Sequence, residues 1–214
     1  MRWLGRKSGF QWLAVLVGVG LFLLPGLAQS DEPDAAAVAF GSYPAVWGAR
    51  LSPDGKRIVY LRMHESDLPV AEVFDIEKKK TNLILASIKD EFDVEGCSWA
   101  SNERLLCRFS SVFQHRWRLY EATRLVGVNA DGSGMLILLH KRLSRDSGWT
   151  QFQDQIVDFL LEQPDKILIA LRDSDGWGIT SLNIETGAMI AKQRPRQDVR
   201  SWISDGKGEI RIRR

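Results

Sequence analysis

The sequence predicts an all-β fold, a β-propeller, and three observations lead there. One unit recurs four times: strand, tight polar turn, strand, loop, strand, turn, strand. A recurrence of roughly 40–60 residues built from four short strands is the pattern of a propeller blade. The first two strands of each unit meet at a polar or loop-like stretch, clearest in Leu51-Ser52-Pro53-Asp54-Gly55-Lys56-Arg57-Ile58-Val59-Tyr60. Nothing after the first 28 residues reads as a helix of any length.

Taken in order, the first unit runs from Ala45 to Leu51, turns at Ser52-Pro53-Asp54-Gly55, and continues through Ile58 to Leu61. In that turn proline presets φ, aspartate bonds back to the backbone and glycine supplies a positive φ. Ala71 to Asp75 and Asn82 to Leu85 follow as strands three and four, joined through the solvated run Glu77-Lys78-Lys79-Lys80. The second unit has strands at Gly96 to Ala100 and Leu105 to Phe109, a longer insertion from Ser110 to Glu121, then Arg124 to Asn129, a turn at Asp131-Gly132-Ser133-Gly134, and Met135 to Leu139. A polar loop, His140 to Thr150, without apolar period, leads to the third unit. That unit pairs Ile156 to Leu160 with Lys166 to Leu171, and Gly178 to Asn183 with Met189 to Lys192 across Glu185-Thr186-Gly187. The fourth has Arg200 to Ser204, the turn Asp205-Gly206-Lys207-Gly208, and Glu209 to Arg213. The expectation is therefore a partial propeller of about three and a half four-stranded blades. An unpaired edge along Glu209 to Arg213 is then expected to favour self-association.

The N-terminus reads as a secretion signal. Arg2, Arg6 and Lys7 precede an apolar stretch from Trp12 to Leu24, and Gly26-Leu27-Ala28 offers a small-residue cleavage site. The expected organisation is a signal peptide over 1–28, a flexible mature N-terminus over 29–39 and the propeller over 40–214, with a periplasmic or secreted location. An uncleaved anchor is the alternative, and the only route to a membrane. The formal net charge of +2 leans on those three N-terminal cations; without them 26 basic residues face 27 acidic ones. Such a body has no basic face for nucleic acid. Hydrophobic and charged contents of 44% and 26% are ordinary for a folded domain.

Cys97 and Cys107 are the only cysteines. Their numbers are symmetric about residue 102, so a tight turn at Ser101 to Glu103 sets them opposite one another on antiparallel strands. That spacing suits a disulfide, which an oxidising compartment would preserve. Two buried free thiols are the alternative.

Catalytic signatures are scarce. The nucleophile elbow G-x-S-x-G does not occur, and Asp131-Gly132-Ser133-Gly134 has the spacing of a hairpin turn. His64, His115 and His140 stand in no metal-ligand spacing. No catalytic, cofactor-binding or metal-ligating residue and no cofactor is assigned. Tryptophan is abundant at eight residues; Trp99 and Trp202 recur at one place in their units, where Leu51 stands in the first, and read as inter-blade packing. Trp149 and Trp177 read as aromatic covers near turns. Trp117, beside His115, Arg116 and Arg118, lies in an insertion of the kind that contacts partners or ligands.

The order of these features resembles the N-terminal half of secreted prolyl-oligopeptidase-type serine peptidases, including acylaminoacyl-peptidase-like members. The resemblance rests on Phe40-Gly41-Ser42-Tyr43-Pro44, on Leu51 through Tyr60, on Cys97-Ser98-Trp99 through Arg104-Leu105-Leu106-Cys107, and on Trp202-Ile203-Ser204-Asp205-Gly206-Lys207-Gly208-Glu209. It implies a propeller that caps an α/β-hydrolase domain and restricts entry to short peptides. The family's triad belongs to that hydrolase domain, so no residue carries over and the chain alone is expected to be inactive. Two functions remain open: the substrate-gating part of an exported peptidase, with a peptide as partner, or a stand-alone TolB-like periplasmic propeller that binds without catalysis.

Overall fold

The computed structural model describes residues 34–42, 44–139 and 151–214. The expected signal over 1–28, the first part of the expected flexible stretch, and the polar loop of 140–150 with His140 and Trp149 lie outside the described residues.

A short helix, α1 (Ala35–Gly41), forms a unit apart from the β body. The sequence reading did not anticipate it. Its alanines have high helix propensity, and the Asp34 side chain caps it by accepting the Ala36 N–H at 3.0 Å.

Turn chemistry and apolar alternation build the β body. β1 (Trp47–Leu51), β2 (Arg57–Met63), β3 (Pro69–Asp75) and β4 (Lys80–Ala86) pair in sequence order as one antiparallel sheet. The β1–β2 turn closes as its residues require. Gly55 takes φ 73°, Ser52 Oγ donates to Asp54 Oδ1 at 2.6 Å, and the same oxygen accepts the Lys56 N–H at 3.1 Å. The Ser52 hydroxyl, then the Lys56 amide, hold the Asp54 carboxyl below its usual range.

β5 (Asp93–Trp99), β6 (Arg104–His115), β7 (Arg118–Asn129) and β8 (Leu136–Leu138) repeat the meander, as do β9 (Ile156–Asp158), β10 (Lys166–Asp173), β11 (Gly176–Asn183) and β12 (Met189–Arg196). β13 (Trp202–Ser204) and β14 (Ile210–Arg213) pair as a two-stranded sheet. The described residues form an all-β partial propeller of three four-stranded blades and a two-stranded fourth, in agreement with the sequence. One assignment needs correcting. Ser110 to Glu121 is not a loop insertion: β6 and β7 stay paired without a break from Arg104↔Asn129 to His115↔Arg118.

Neighbouring blades bury one another's faces. Between the first and second blades lie Val59, Leu61, Val73, Leu105, Cys107, Val126 and Val128. The alternate residues Leu106 and Leu125 point the other way, onto Ile167, Ile169, Leu182 and Ile184 of the third blade. Leu168, Ala170 and Ile179 of that blade turn in their own alternation toward Val199 and Trp202. The middle strands are thus apolar on both faces, which is why they read as near-continuous hydrophobic runs.

Arg104 crosses the second seam. Its side chain is 4% exposed and donates to Asn129 Oδ1 at 3.0 Å, to the Gly134 carbonyl at 2.7 Å and to the Ile184 carbonyl at 2.9 Å, with Glu185 at 3.4 Å. Gly127 leaves the room. A Cβ there would lie 2.6 Å from Arg104 Nη2 and 3.1 Å from the Ile184 carbonyl. Replacement of Arg104 by Met would strand buried acceptors in both blades, so Arg104→Met is expected to cost about 3–5 kcal/mol. Urea melts of the two proteins check this; a loss within about 0.5 kcal/mol, the range of an ordinary surface change, would remove Arg104 from its structural role.

Candidate functional site

The first strands of the blades offer the most site-like geometry. Among the described residues β1 and β5 each have one strand neighbour, β2 and β6 respectively. A cleft of about 230 Å³ opens beside them, lined by Gly48 and Arg50 of β1, Glu95 to Ser98 of β5, Leu106 and Arg108 of β6, Leu125 of β7, and Asp154 and Ile156 on the way into β9.

Leu106, Leu125 and Ile156 line it beside side chains of both signs of charge. Arg108 lies between Glu95 (3.3 Å) and Asp154 (3.5 Å). Ser110 Oγ donates to Glu95 Oε1 at 2.6 Å, and Thr123 Oγ1 donates to Asp154 Oδ1. The segment that carries Asp154 is pinned to β7: the Thr123 N–H donates to the Gln151 carbonyl at 3.0 Å, and Arg124 Nη1 donates to the same oxygen at 2.9 Å. The side chains that charge the cleft therefore come from three successive blades held in fixed relation. Their chemistry suits reversible contact with a polar, extended chain. No described pair combines a serine nucleophile with an imidazole base and an orienting carboxylate at this cleft.

The residues singled out in the sequence scatter. His64 Nδ1 meets Ser66 Oγ at 3.2 Å inside a local turn closed by the Asp67 N–H on the His64 carbonyl at 3.0 Å, which is turn chemistry without an elbow. His115 ends β6. Ser133 bonds Asp131 Oδ1 within its hairpin turn, from its amide at 2.9 Å and its hydroxyl at 2.6 Å. The two recurring tryptophans do the same work: Trp99 Nε1 donates to the Arg50 carbonyl at 3.0 Å, and Trp202 Nε1 to the Trp177 carbonyl at 3.2 Å, each reaching back one blade. Leu51, at the corresponding place, is 58% exposed. Trp177 packs beside Trp202 in the third seam, whereas Trp117 is 79% exposed. The sequence reading passed over Arg50, Glu95, Arg108 and Asp154. No motif unites them; they meet only because the blades stack.

Cys97 and Cys107 are register partners in β5 and β6 and are joined by a disulfide, with Cα atoms 4.0 Å apart. Both are buried in the seam facing the first blade, so the bond ties the first strand of blade two to its core strand. Among the described residues no group of three or more His, Cys, Asp or Glu could hold a metal ion.

No family model and no curated protein matches the chain. Solved structures do. An acylaminoacyl peptidase from Pyrococcus horikoshii aligns at TM-score 0.50 and 15% identity, over 77% of this chain and 27% of that one. The chain shares its fold with part of an acylaminoacyl peptidase. A second structure, an acylaminoacyl peptidase in complex with Z-Gly-Gly-Phe-chloromethyl ketone, aligns at TM-score 0.48 and 16% identity with the same coverages. A puromycin hydrolase aligns at 0.41 and 18%, over 73% of this chain and 22% of that one. The chain spans about a quarter of the length of the acylaminoacyl peptidases it matches.

Two predictions follow from the side-chain network. In protein recovered from an oxidising compartment, thiol titration under denaturing, non-reducing conditions is expected to find no free thiol. Reduction is expected to cost about 2–3 kcal/mol for a closed loop this short. The second concerns Glu72, 7% exposed on the first blade, which accepts from Arg62 Nη2 at 2.7 Å, Arg62 Nε at 3.0 Å and Tyr60 Oη at 2.8 Å. The Arg62 guanidinium, then the Tyr60 hydroxyl, hold its carboxyl below the usual range, against the opposing effect of burial. A carboxyl depressed in the folded state contributes stability above its unfolded pKa and loses it as pH falls through the folded value. Glu72→Gln is therefore expected to flatten the acid side of the stability–pH curve, as followed by melts from neutral pH to about pH 2. An unchanged slope would show that Glu72 has no part in it.

Proposed function

We propose that this chain is the propeller part of an exported prolyl-oligopeptidase-type serine peptidase, where it restricts which peptides reach a separate hydrolase domain. The fold match to acylaminoacyl peptidase over 77% of the chain carries this reading. The Cys97–Cys107 bond fits an exported protein, because disulfides persist where the surroundings oxidise. The cleft along β1 and β5 supports a gating role. Strand edges that no described strand pairs, and a rim of Arg50, Glu95, Arg108 and Asp154, give a passing peptide main-chain and charge contacts without committing it to a deep pocket.

In this reading the chemistry belongs to the hydrolase domain, and the 214-residue chain supplies access control alone. The purified chain is expected to remain unlabelled by a fluorophosphonate probe. The reading frame beyond Arg214 is expected to encode further blades and then G-x-S-x-G, and its longer product should label at one serine. Labelling of the short chain, or an intact gene that closes after Arg214, would overturn the peptidase reading. The closed gene would favour a propeller that binds without catalysis.

A further inference from the structure

The β6–β7 hairpin outruns its own blade. β5 accompanies β6 only as far as Asp93↔Ser110, and β8 accompanies β7 only at Leu125 to Gly127. Beyond Ser110 and Thr123 the two strands project as a ribbon, still in register to His115↔Arg118. At about 3.4 Å per residue the ribbon reaches roughly 20 Å to its tip. One face is closed by Phe113 stacked on Tyr120, with centroids 5.8 Å apart. The other presents Val112 and Leu119, 62% and 73% exposed, and the turn carries Trp117, 79% exposed, between the exposed Arg116 and Arg118. Two-stranded ribbons are marginal in water without apolar cover.

A cavity of about 310 Å³ sits at the foot of this arm, on its β6 side. Ile88, Phe92 and Val112 supply its apolar lining, and Asp90, Glu91 and Asp93 its charge. The three carboxylates make no ion pair among the described residues, and Lys89 is the one cation within that stretch. A basic, aromatic tip and an acidic, apolar socket thus stand at opposite ends of one arm.

We infer that the arm joins two copies of this chain. The arms lie antiparallel, β6 beside β6, and each tip enters the socket of the other copy. Register supports the fit. Opposed residues on antiparallel strands share a face, so a two-fold axis must pass through a residue paired with itself. With Gln114 at the axis, Arg116 comes level with Val112 of the second copy, and the turn it forms with Trp117 reaches on toward Ser111. Val112 and Ser111 both line the socket. The contact covers the β6 edge that no described strand pairs, brings Trp117 toward Ile88 and Phe92, and sets Arg116, with Arg118 behind it on β7, toward three carboxylates. It does not depend on the peptidase reading.

Sedimentation of the full chain tests this. The wild type is expected to dimerise, and Arg116→Glu with Arg118→Glu to weaken the dimer about tenfold or more, by setting like charges in the contact. Asp90→Lys with Asp93→Lys should weaken it similarly, and an equimolar mixture of the two variants should restore a 1:1 dimer. Trp117→Ser, at a side chain outside every core, provides a variant whose folding is not in question. A wild type that stays monomeric overturns the inference. So does association that none of these variants weakens, which would point to the β14 edge instead, or a mixture that fails to recover.

Discussion

Burial of both faces of the middle strands is the constraint on which the rest of this structure depends. In β6 and β10 successive apolar residues serve different seams: Leu105 and Cys107 face the first blade while Leu106 faces the third, and Ile167 and Ile169 face the second while Leu168 faces the fourth sheet. Each such side chain contributes about 1.5–3 kcal/mol when fully buried, several times a typical net hydrogen bond. A single four-stranded blade cannot realise this, because one face would stay wet. Stacking is therefore a condition for each blade to fold.

Polar groups then fix how the stacked blades meet. Arg57 donates to Glu103 at 2.6 and 2.9 Å across the first seam, Arg104 reaches Ile184 across the second, and Asp158 Oδ2 accepts the Gly208 N–H at 2.9 Å across the third. Each joins a turn or strand end of one blade to that of the next. Apolar packing is tolerant of small slides; a buried guanidinium with several carbonyl and amide acceptors is not. The charged rim of the cleft depends on that fixed relation, because Arg108 and Asp154 come from different blades.

The arm formed by β6 and β7 departs from this logic. It leaves the stacked faces, and among the described residues Val112, Trp117 and Leu119 belong to no buried core. Exposed apolar surface of this kind is what the proposed contact between two copies would cover.

Turn chemistry and apolar runs were legible along the chain, and with them the blades and the pairing of Cys97 with Cys107. Ser-Pro-Asp-Gly specifies a tight turn wherever it occurs, and a cysteine pair symmetric about a short turn must fall opposite on the two strands. These are local rules, decided within about a dozen residues. Three features escaped. Helix α1 was missed because it buries nothing and shows no apolar period, only alanine propensity and the Asp34 cap. The arm was missed because both of its faces mix polar and apolar residues, which erases the period-two signal of a half-buried strand. The cleft was missed because Arg50, Glu95, Arg108 and Asp154 are spread along the chain from 50 to 154 and share no motif. The sequence by itself determined the repeating unit, its turns and the opposition of Cys97 to Cys107, since those depend on neighbours along the chain. Only the tertiary structure decided which charges meet at the cleft and which apolar residues stay uncovered, since those depend on how one blade lies against the next.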